Sequence, residues 1–243
     1  TGQSQILPYL KKLNIEHNFR IISFEKSENL KKRKSLILNS LKNSDINWSI
    51  KIYHKKPAIL STIWDLTTMY KKAKQSYKSQ PFEIVHCRSH LTALVGLKLK
   101  KRLGVKLLFD MRSFYADERV DGGIWPQSKL IYKLIYKYFK RKEIELLNNC
   151  DSLVVLTKKA KEIINKNDNV YLNSKKIKII PCCADLNHFS HKNVDKKIQR
   201  EIMQKLKIGN KNFVLSYLGS IGSWYMINEM LQFFKVIKTE IPN

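Results

Sequence analysis

The sequence predicts an α/β protein: a mainly parallel sheet with helices on both faces. Two observations carry this. Apolar runs of strand length alternate with longer helical patterns almost from end to end. The segments between those runs supply the crossover helices that parallel neighbours require. A third observation locates the chemistry. Two strands, at 83–87 and 105–109, end in clusters of polar and charged residues, and open parallel sheets hold ligands outside the carboxyl ends of their strands.

The elements follow in order. Residues 3–13 read as a helix that Pro8 kinks. A strand at 19–24, a Lys-rich helix at 28–41 and a strand at 48–53 come next. A long helix at 59–79 stops before Pro81. The buried strand at 83–87 leads to a helix at 91–103, closed by Gly104 as its C-cap, and then to the strand at 105–109. Residues 111–126 read as a loop with Gly122, Gly123 and Pro126. In the helix at 128–148, Tyr132, Tyr136 and Phe139 fall at helical spacing and are expected in the core. A strand at 152–156, a helix at 158–165 and a strand at 176–180 ended by Pro181 continue the alternation. A helix at 194–206, a strand at 213–218, a Gly/Ser turn at 219–223 and a helix at 225–239 complete it.

The chain has 243 residues, 43% of them hydrophobic, enough for a substantial core. No run of about 18 apolar residues is present, so no transmembrane helix is expected. The polar stretch around 188–197 marks a boundary. Residues 1–193 form one domain, and 194–243 hold too little to close a core of their own. Both ends read as cut. The chain opens at Thr1 on a turn with no strand before it, and it stops at Ile241-Pro242-Asn243 where another strand is expected.

The formal charge is +26, from 46 Lys+Arg against 20 Asp+Glu. One reading is an anionic partner: nucleic acid, acidic lipid or a phosphorylated substrate. The other is compositional drift, as in a chain encoded by an AT-rich genome. The spread of lysines over nearly every helix favours drift. Cys87, Cys150, Cys182 and Cys183 match no zinc spacing. They read as reduced thiols in a cytosolic protein.

Several motifs are candidates for function. Gly2 and Gln3 precede a helix start, where backbone N–H groups favour anions. In Val85-His86-Cys87-Arg88-Ser89-His90, arginine suits bidentate contact with an oxyanion. Arg88 and His90 are expected to act there, and His86 to be a satisfied core histidine. Asp110 and Arg112 directly follow an apolar strand and face a cleft. Asp117, Glu118 and Arg119 are suited to orienting sugar hydroxyls or stabilising transition-state charge. Thr157 and Asp185 each stand at a strand end, where a cap is the plain reading. The turn Gly219-Ser220-Ile221-Gly222-Ser223 is neither a dinucleotide fingerprint nor a P-loop.

In this order the pieces resemble glycosyltransferase family 4, with the GT-B fold. Gly2-Gln3-Ser4-Gln5-Ile6-Leu7 looks like the family's first loop and helix. F-E-I-V-H-C-R-S-H and K-L-L-F-D-M-R-S-F-Y-A-D-E-R-V-D-G look like acceptor-side strand ends of one bacterial subgroup. Glu143 and Asp151 fit the family's E-x7-D stretch, and L-V-V-L-T matches a strand ending in Ser or Thr. I-K-I-I-P-C-C-A-D-L-N-H-F and V-L-S-Y-L-G-S-I-G-S-W-Y fit later landmarks. The match covers essentially the whole chain. There are departures: Arg112 stands where many members have His, Cys182 replaces an Asn, Ser220 replaces an Arg, and Trp224-Tyr225 replaces Lys-Gly. The E-x7-E donor segment does not occur in these residues.

The resemblance implies two Rossmann-like domains, the second truncated, around a cleft. It implies a retaining, hexosyl-type transferase moving a sugar from a nucleotide-sugar to a saccharide or lipid-linked acceptor in cell-surface polysaccharide biosynthesis. Gly2, Gln3, Thr157, Gly219 and Ser220 would approach the donor. Arg88, Ser89 and His90 would position the acceptor, and Asp110, Arg112, Asp117 and Glu118 would line the reacting centre. No metal and no cofactor are implied, the nucleotide-sugar being a substrate. The expected location is cytoplasmic, with exposed lysines resting on an anionic inner-membrane surface. Little turnover is expected of these 243 residues alone. The alternatives are a basic nucleic-acid-binding module, although no helix-turn-helix, RNP or finger pattern is visible, a non-catalytic partner-binding fragment, and a sugar-nucleotide epimerase.

Overall fold

The computed structural model describes residues 6–42, 44–187, 189–209, 212–219, 221 and 225–240. Helix α1 (Leu7–Leu13) begins at the proline: Pro8 lies in its first turn, where no N–H is needed, and it does not kink the helix. Strand β1 (Arg20–Glu25), helix α2 (Ser27–Leu41) and strand β2 (Asn47–Ile52) follow, and β1 and β2 pair in parallel. Leu7, Leu41 and Ile46 form a small core with Ile21 and Trp48 beneath α1 and α2.

Helix α3 (Ala58–Ser79) crosses to β3 (Ile84–Arg88). Helix α4 (His90–Leu103) connects β3 to β4 (Lys106–Asp110). Gly104 closes α4 in the left-handed region (φ 73°), as a C-cap should. Helix α5 (Tyr115–Asp121) interrupts the segment expected to be a loop. Helix α6 (Leu130–Asn149), β5 (Ser152–Val155), α7 (Lys158–Asn165) and β6 (Ile177–Ile179) complete the layered part. Helices α8 (Lys196–Lys205) and α9 (Ile227–Glu240) lie beyond it.

The strands form two parallel sheets, β1-β2 and β3-β4-β5-β6. The sequence pattern suggests one sheet. Among the described residues no ladder joins β1 to β3, and packing does the work instead. Ile22 of β1 and Val85 of β3 enter one cluster with Ala73, Val95, Leu99 and Val105 under α3 and α4. Arg20, at the amino end of β1, donates to the Ser76 carbonyl and hydroxyl (2.7 and 2.8 Å) and to the Gln80 carbonyl (2.5 Å), tying down the end of α3.

The main core belongs to the four-stranded sheet. Leu107 and Phe109 of β4, Leu153 and Val155 of β5, Ile177 of β6, Ala93 and Leu97 of α4, and Leu146 and Leu147 of α6 are all buried together. Gly96 lets α4 approach closely, since a Cβ there would meet the Cys87 Sγ and lie 2.7 Å from Leu107 Cδ1. Asp151 joins the layers: it accepts from Lys100 Nζ (2.6 Å) and the Leu107 N–H (2.7 Å). The strand expected at 213–218 is not formed. Residues 212–218 have no regular structure and are exposed, and among the described residues no neighbouring strand offers them a ladder.

Candidate functional site

Alternation along β3 and its register with β4 build the site. Residues two apart on a strand share a face. His86 and Arg88 therefore face the side away from Cys87, which is in the core. Register pairs Arg88 with Asp110. Asp110 is the hub: its carboxylate lies 3.4 Å from Arg112 Nη1, 3.7 Å from Arg88 Nη1 and 3.8 Å from His86 Nε2, with its side chain only 7% exposed. Burial pushes the Asp110 carboxyl up, but the neighbouring His86 and the charges of Arg112 and Arg88 outweigh it. The group sits below its ordinary value. Arg112 Nη2 also reaches the Cys182 sulfur at 3.1 Å, so the end of β6 joins the rim.

Two permanent guanidinium charges thus share one ionised carboxylate, leaving an edge that favours anions. Arg112 cannot serve as a general base, and Asp110 is held ionised as a counter-charge that positions both arginines. Between the two strands, Ser89 adopts φ 82° and ψ 159°, a region almost reserved for glycine. Its N–H donates to the Asp110 carbonyl (2.9 Å), while its own carbonyl accepts from Ala93 N–H and the Thr92 hydroxyl in the first turn of α4.

The two histidines exchange their expected surroundings. His86, expected in the core, is exposed on the rim (side chain 47%). His90, expected at the acceptor, is buried. It opens α4 and turns inward, stacking on Tyr115 and meeting Phe109 edge-on. Its Nε2 lies 3.2 Å from buried Glu143, whose other oxygen accepts from Lys140 Nζ (2.7 Å). Lys140 also donates to Asp117 (2.9 Å), and the Tyr136 hydroxyl donates to the same carboxylate (2.8 Å). His90 thus acts through a network that fixes α5 on α6. Glu143 and Asp151, the E-x7-D pair, serve architecture here. Tyr132, Tyr136 and Phe139 are half-buried, not core; Phe139 packs on Tyr115 and Trp125.

Asp117 and Glu118 do not join Asp110. They line a cavity of about 370 Å³ between α5, α6 and α7, with Asp121, Lys140 and Glu143. Ser113 donates to Glu118. Thr157 caps α7, its hydroxyl accepting from Ala160 N–H at 3.0 Å, and Gly219 is exposed beyond the layered part. Gly2, Gln3 and Ser220, expected at the donor, lie outside the described residues, as does most of the turn at 219–223.

With this geometry in place, the comparisons decide the family. The model for Glycosyltransferase Family 4 matches residues 9–188. The chain belongs to glycosyltransferase family 4. Its fold is similar to a glycosyltransferase from Rickettsia africae ESF-5, with a TM-score of 0.50 and 17% identity over 84% of this chain and 44% of that one. It is also similar to sucrose-phosphate synthase from Thermosynechococcus elongatus, with a TM-score of 0.50 and 10% identity over 87% of this chain and 72% of that one. These likenesses give the GT-B type of α/β fold. The chain spans less than half the length of the Rickettsia protein. No curated protein matches it.

Within this family-4 chain, the sequence reading misses three participants. His86 shares a strand face with Arg88, and that two-residue spacing is the signal that could have found it. Cys182 stands out only as a replacement in a landmark. Lys140 carries only the local signal of its i,i+3 pair with Glu143; its second partner, Asp117, meets it only after α5 folds onto α6.

Proposed function

We propose that the whole protein is a retaining glycosyltransferase. It moves a hexosyl group from a nucleotide-sugar to a saccharide or lipid-linked acceptor in cell-surface polysaccharide biosynthesis. The observation that carries this is the cationic rim in a family-4 chain: Arg88 and Arg112, fixed by Asp110 at the carboxyl ends of β3 and β4. Such a pair suits the anionic groups of the reaction. Preorganised charge at a phosphate stabilises the negative charge that develops as a nucleoside diphosphate departs or as a phosphorylated acceptor is held. Ser89, strained between the two arginine-bearing strand ends, helps set their spacing. His90 positions α5 through Glu143 without touching substrate. Retention rests on family membership alone, an argument from analogy.

Donor contacts by Gly2, Gln3, Thr157, Gly219 and Ser220, a cytoplasmic location and peripheral contact with anionic membrane belong to the same proposal. So does little turnover by these 243 residues on their own. The test is calorimetric binding of nucleotides and nucleotide-sugars to the full-length protein, repeated with Arg112→Gln and Arg88→Gln. Selective binding of one nucleotide-sugar, with product formation lost in the arginine variants, is the expected result. Failure to bind any member, together with tight, salt-dependent binding to RNA or DNA, sinks the transferase reading in favour of a nucleic-acid-binding one.

A further inference from the structure

A second buried carboxylate lies outside the rim, and it holds a histidine. Asp65 of α3 has a side chain only 9% exposed. It accepts twice from one residue: from the His54 backbone N–H at 3.0 Å and from the His54 ring Nδ1 at 2.6 Å. The backbone bond alone would anchor the loop after β2. The second bond fixes the ring. A carboxylate only accepts, so Nδ1 carries the proton and Nε2 keeps its lone pair. The imidazole is half-exposed, and among the described residues no hydrogen bond reaches Nε2.

Packing places this pair at the same edge of the fold as the rim. Tyr53 N–H donates to the Glu25 carbonyl at 3.0 Å and closes the β1-β2 ladder, so His54 comes directly after the carboxyl end of β2. Arg20, at the amino end of β1, holds Ser76 and Gln80 at the far end of α3. Asp65 precedes Ser76 by eleven residues, about 16 Å of helix. Strand β1, with six residues, spans about 17 Å. Asp65 is therefore level with the carboxyl ends of the strands. Tyr53 interacts electrostatically with Tyr115, which opens α5 three residues after Arg112, so the loop after β2 leans toward the rim. The rim itself has no equivalent group. Arg88 and Arg112 are permanently charged, Asp110 is their counter-ion, His86 turns Nε2 toward Asp110, and His90 is buried.

We infer that His54 is the proton acceptor of the proposed reaction, with Asp65 as the positioning residue behind it. Nε2 takes the proton of the acceptor hydroxyl as that oxygen bonds to the anomeric carbon of the donor. The bond from that carbon to the diphosphate breaks, and its electron pair leaves with the nucleoside diphosphate. The imidazolium then gives its proton to water. Asp65 holds the required tautomer and faces the positive charge while it lasts. The step is compatible with retention: the face from which the hydroxyl approaches sets the stereochemistry, and the fate of its proton does not. Among the described residues no group of three or more His, Cys, Asp or Glu is placed to hold a metal ion, so the pair has the donor set of a proton acceptor and falls short of a metal site. The inference rests on the transferase reading and names the group that takes its proton.

The test is turnover of UDP-glucose, UDP-N-acetylglucosamine and GDP-mannose by the full-length protein, with water and octyl glucoside as the hydroxyl acceptors. His54→Ala, His54→Gln and Asp65→Asn are run beside the wild type. Donor binding and circular dichroism are measured on each and should be unchanged. Turnover should fall roughly 10²- to 10⁴-fold in all three variants. Imidazole added to His54→Ala should restore it, a response that a merely structural role would not give. In Asp65→Asn an amide has one oxygen for two bonds. With that oxygen on the His54 backbone N–H, its NH2 faces Nδ1, and the ring proton moves to Nε2. Nitrogen-15 spectra of the ring should show this exchange of tautomer. Turnover retained in His54→Ala, or lost there and not restored by imidazole, would overturn the inference and leave the transferase reading standing on the wild type. No turnover of any donor by the wild type sinks that reading, and the inference with it.

Discussion

Replacing Asp110 by Asn keeps the shape of the rim and removes its one negative charge. Arg112 and Arg88, at 3.4 and 3.7 Å, then face each other without a counter-ion. Hydrogen bonds to charged groups contribute about 1.5–3 kcal/mol, and breaking a fully buried pair costs about 3–5. The guanidiniums are about one-fifth exposed and the contacts are long, so water recovers part of the loss. The expected destabilisation is about 2 kcal/mol at pH 7, read from urea unfolding with an unchanged m-value. The pH dependence gives an independent check. The folded pKa of Asp110 lies below its unfolded value of about 3.9. Its stabilisation is therefore complete above that unfolded value and is lost as pH falls through the folded one. The gap between wild type and Asp110→Asn should stay constant near neutrality and shrink in acid below about pH 4. A loss under about 0.5 kcal/mol, or a gap that persists undiminished to low pH, would refute the charge-hub argument.

Other outcomes follow from the same packing. Gly96→Ala forces a methyl into Cys87 and Leu107 and should cost about 1–3 kcal/mol in urea unfolding. Ser89→Gly removes the side chain from a left-handed backbone (φ 82°). Relief of strain should exceed the entropy lost with glycine and stabilise the fold by about 1 kcal/mol; a lower midpoint would contradict that. Glu143→Ala leaves His90 and Lys140 without their shared carboxylate and should cost about 3 kcal/mol, with a non-additive double-mutant cycle against His90→Ala. Burial pushes the Cys87 and Cys150 thiols up to about 12 and about 11. A thiol reagent at pH 8 should therefore label exposed Cys182 and Cys183 in the native protein and reach Cys87 and Cys150 only on unfolding.

How far the site was legible depends on the distance over which its signal acts. Strand and helix periods are local, so the segments around α2, α3, α4, α6 and α7 are read close to their observed bounds. The rim at Arg88, Asp110 and Arg112 is legible too, because polar residues directly after a buried parallel strand have few places to go. Locality fails where a side chain must choose between two surroundings. His86 and His90 are four residues apart: strand alternation puts His86 on the face of Arg88, but no local pattern shows that the start of α4 turns His90 into a core. The 213–218 run has a strand's composition, but a strand exists only with a partner.

The sequence by itself determined the alternating architecture, the family and the edge of the sheet where charge collects. Hydrophobic period and strand-end composition are enough for those. Only the tertiary structure decided which charges meet. Asp117 left the rim for Lys140 and Tyr136, Glu143 closed on His90, and Asp110 became the counter-ion for two arginines. Those choices rest on contacts between residues up to 53 positions apart, fixed by helix packing and strand register and written in no single segment of the chain.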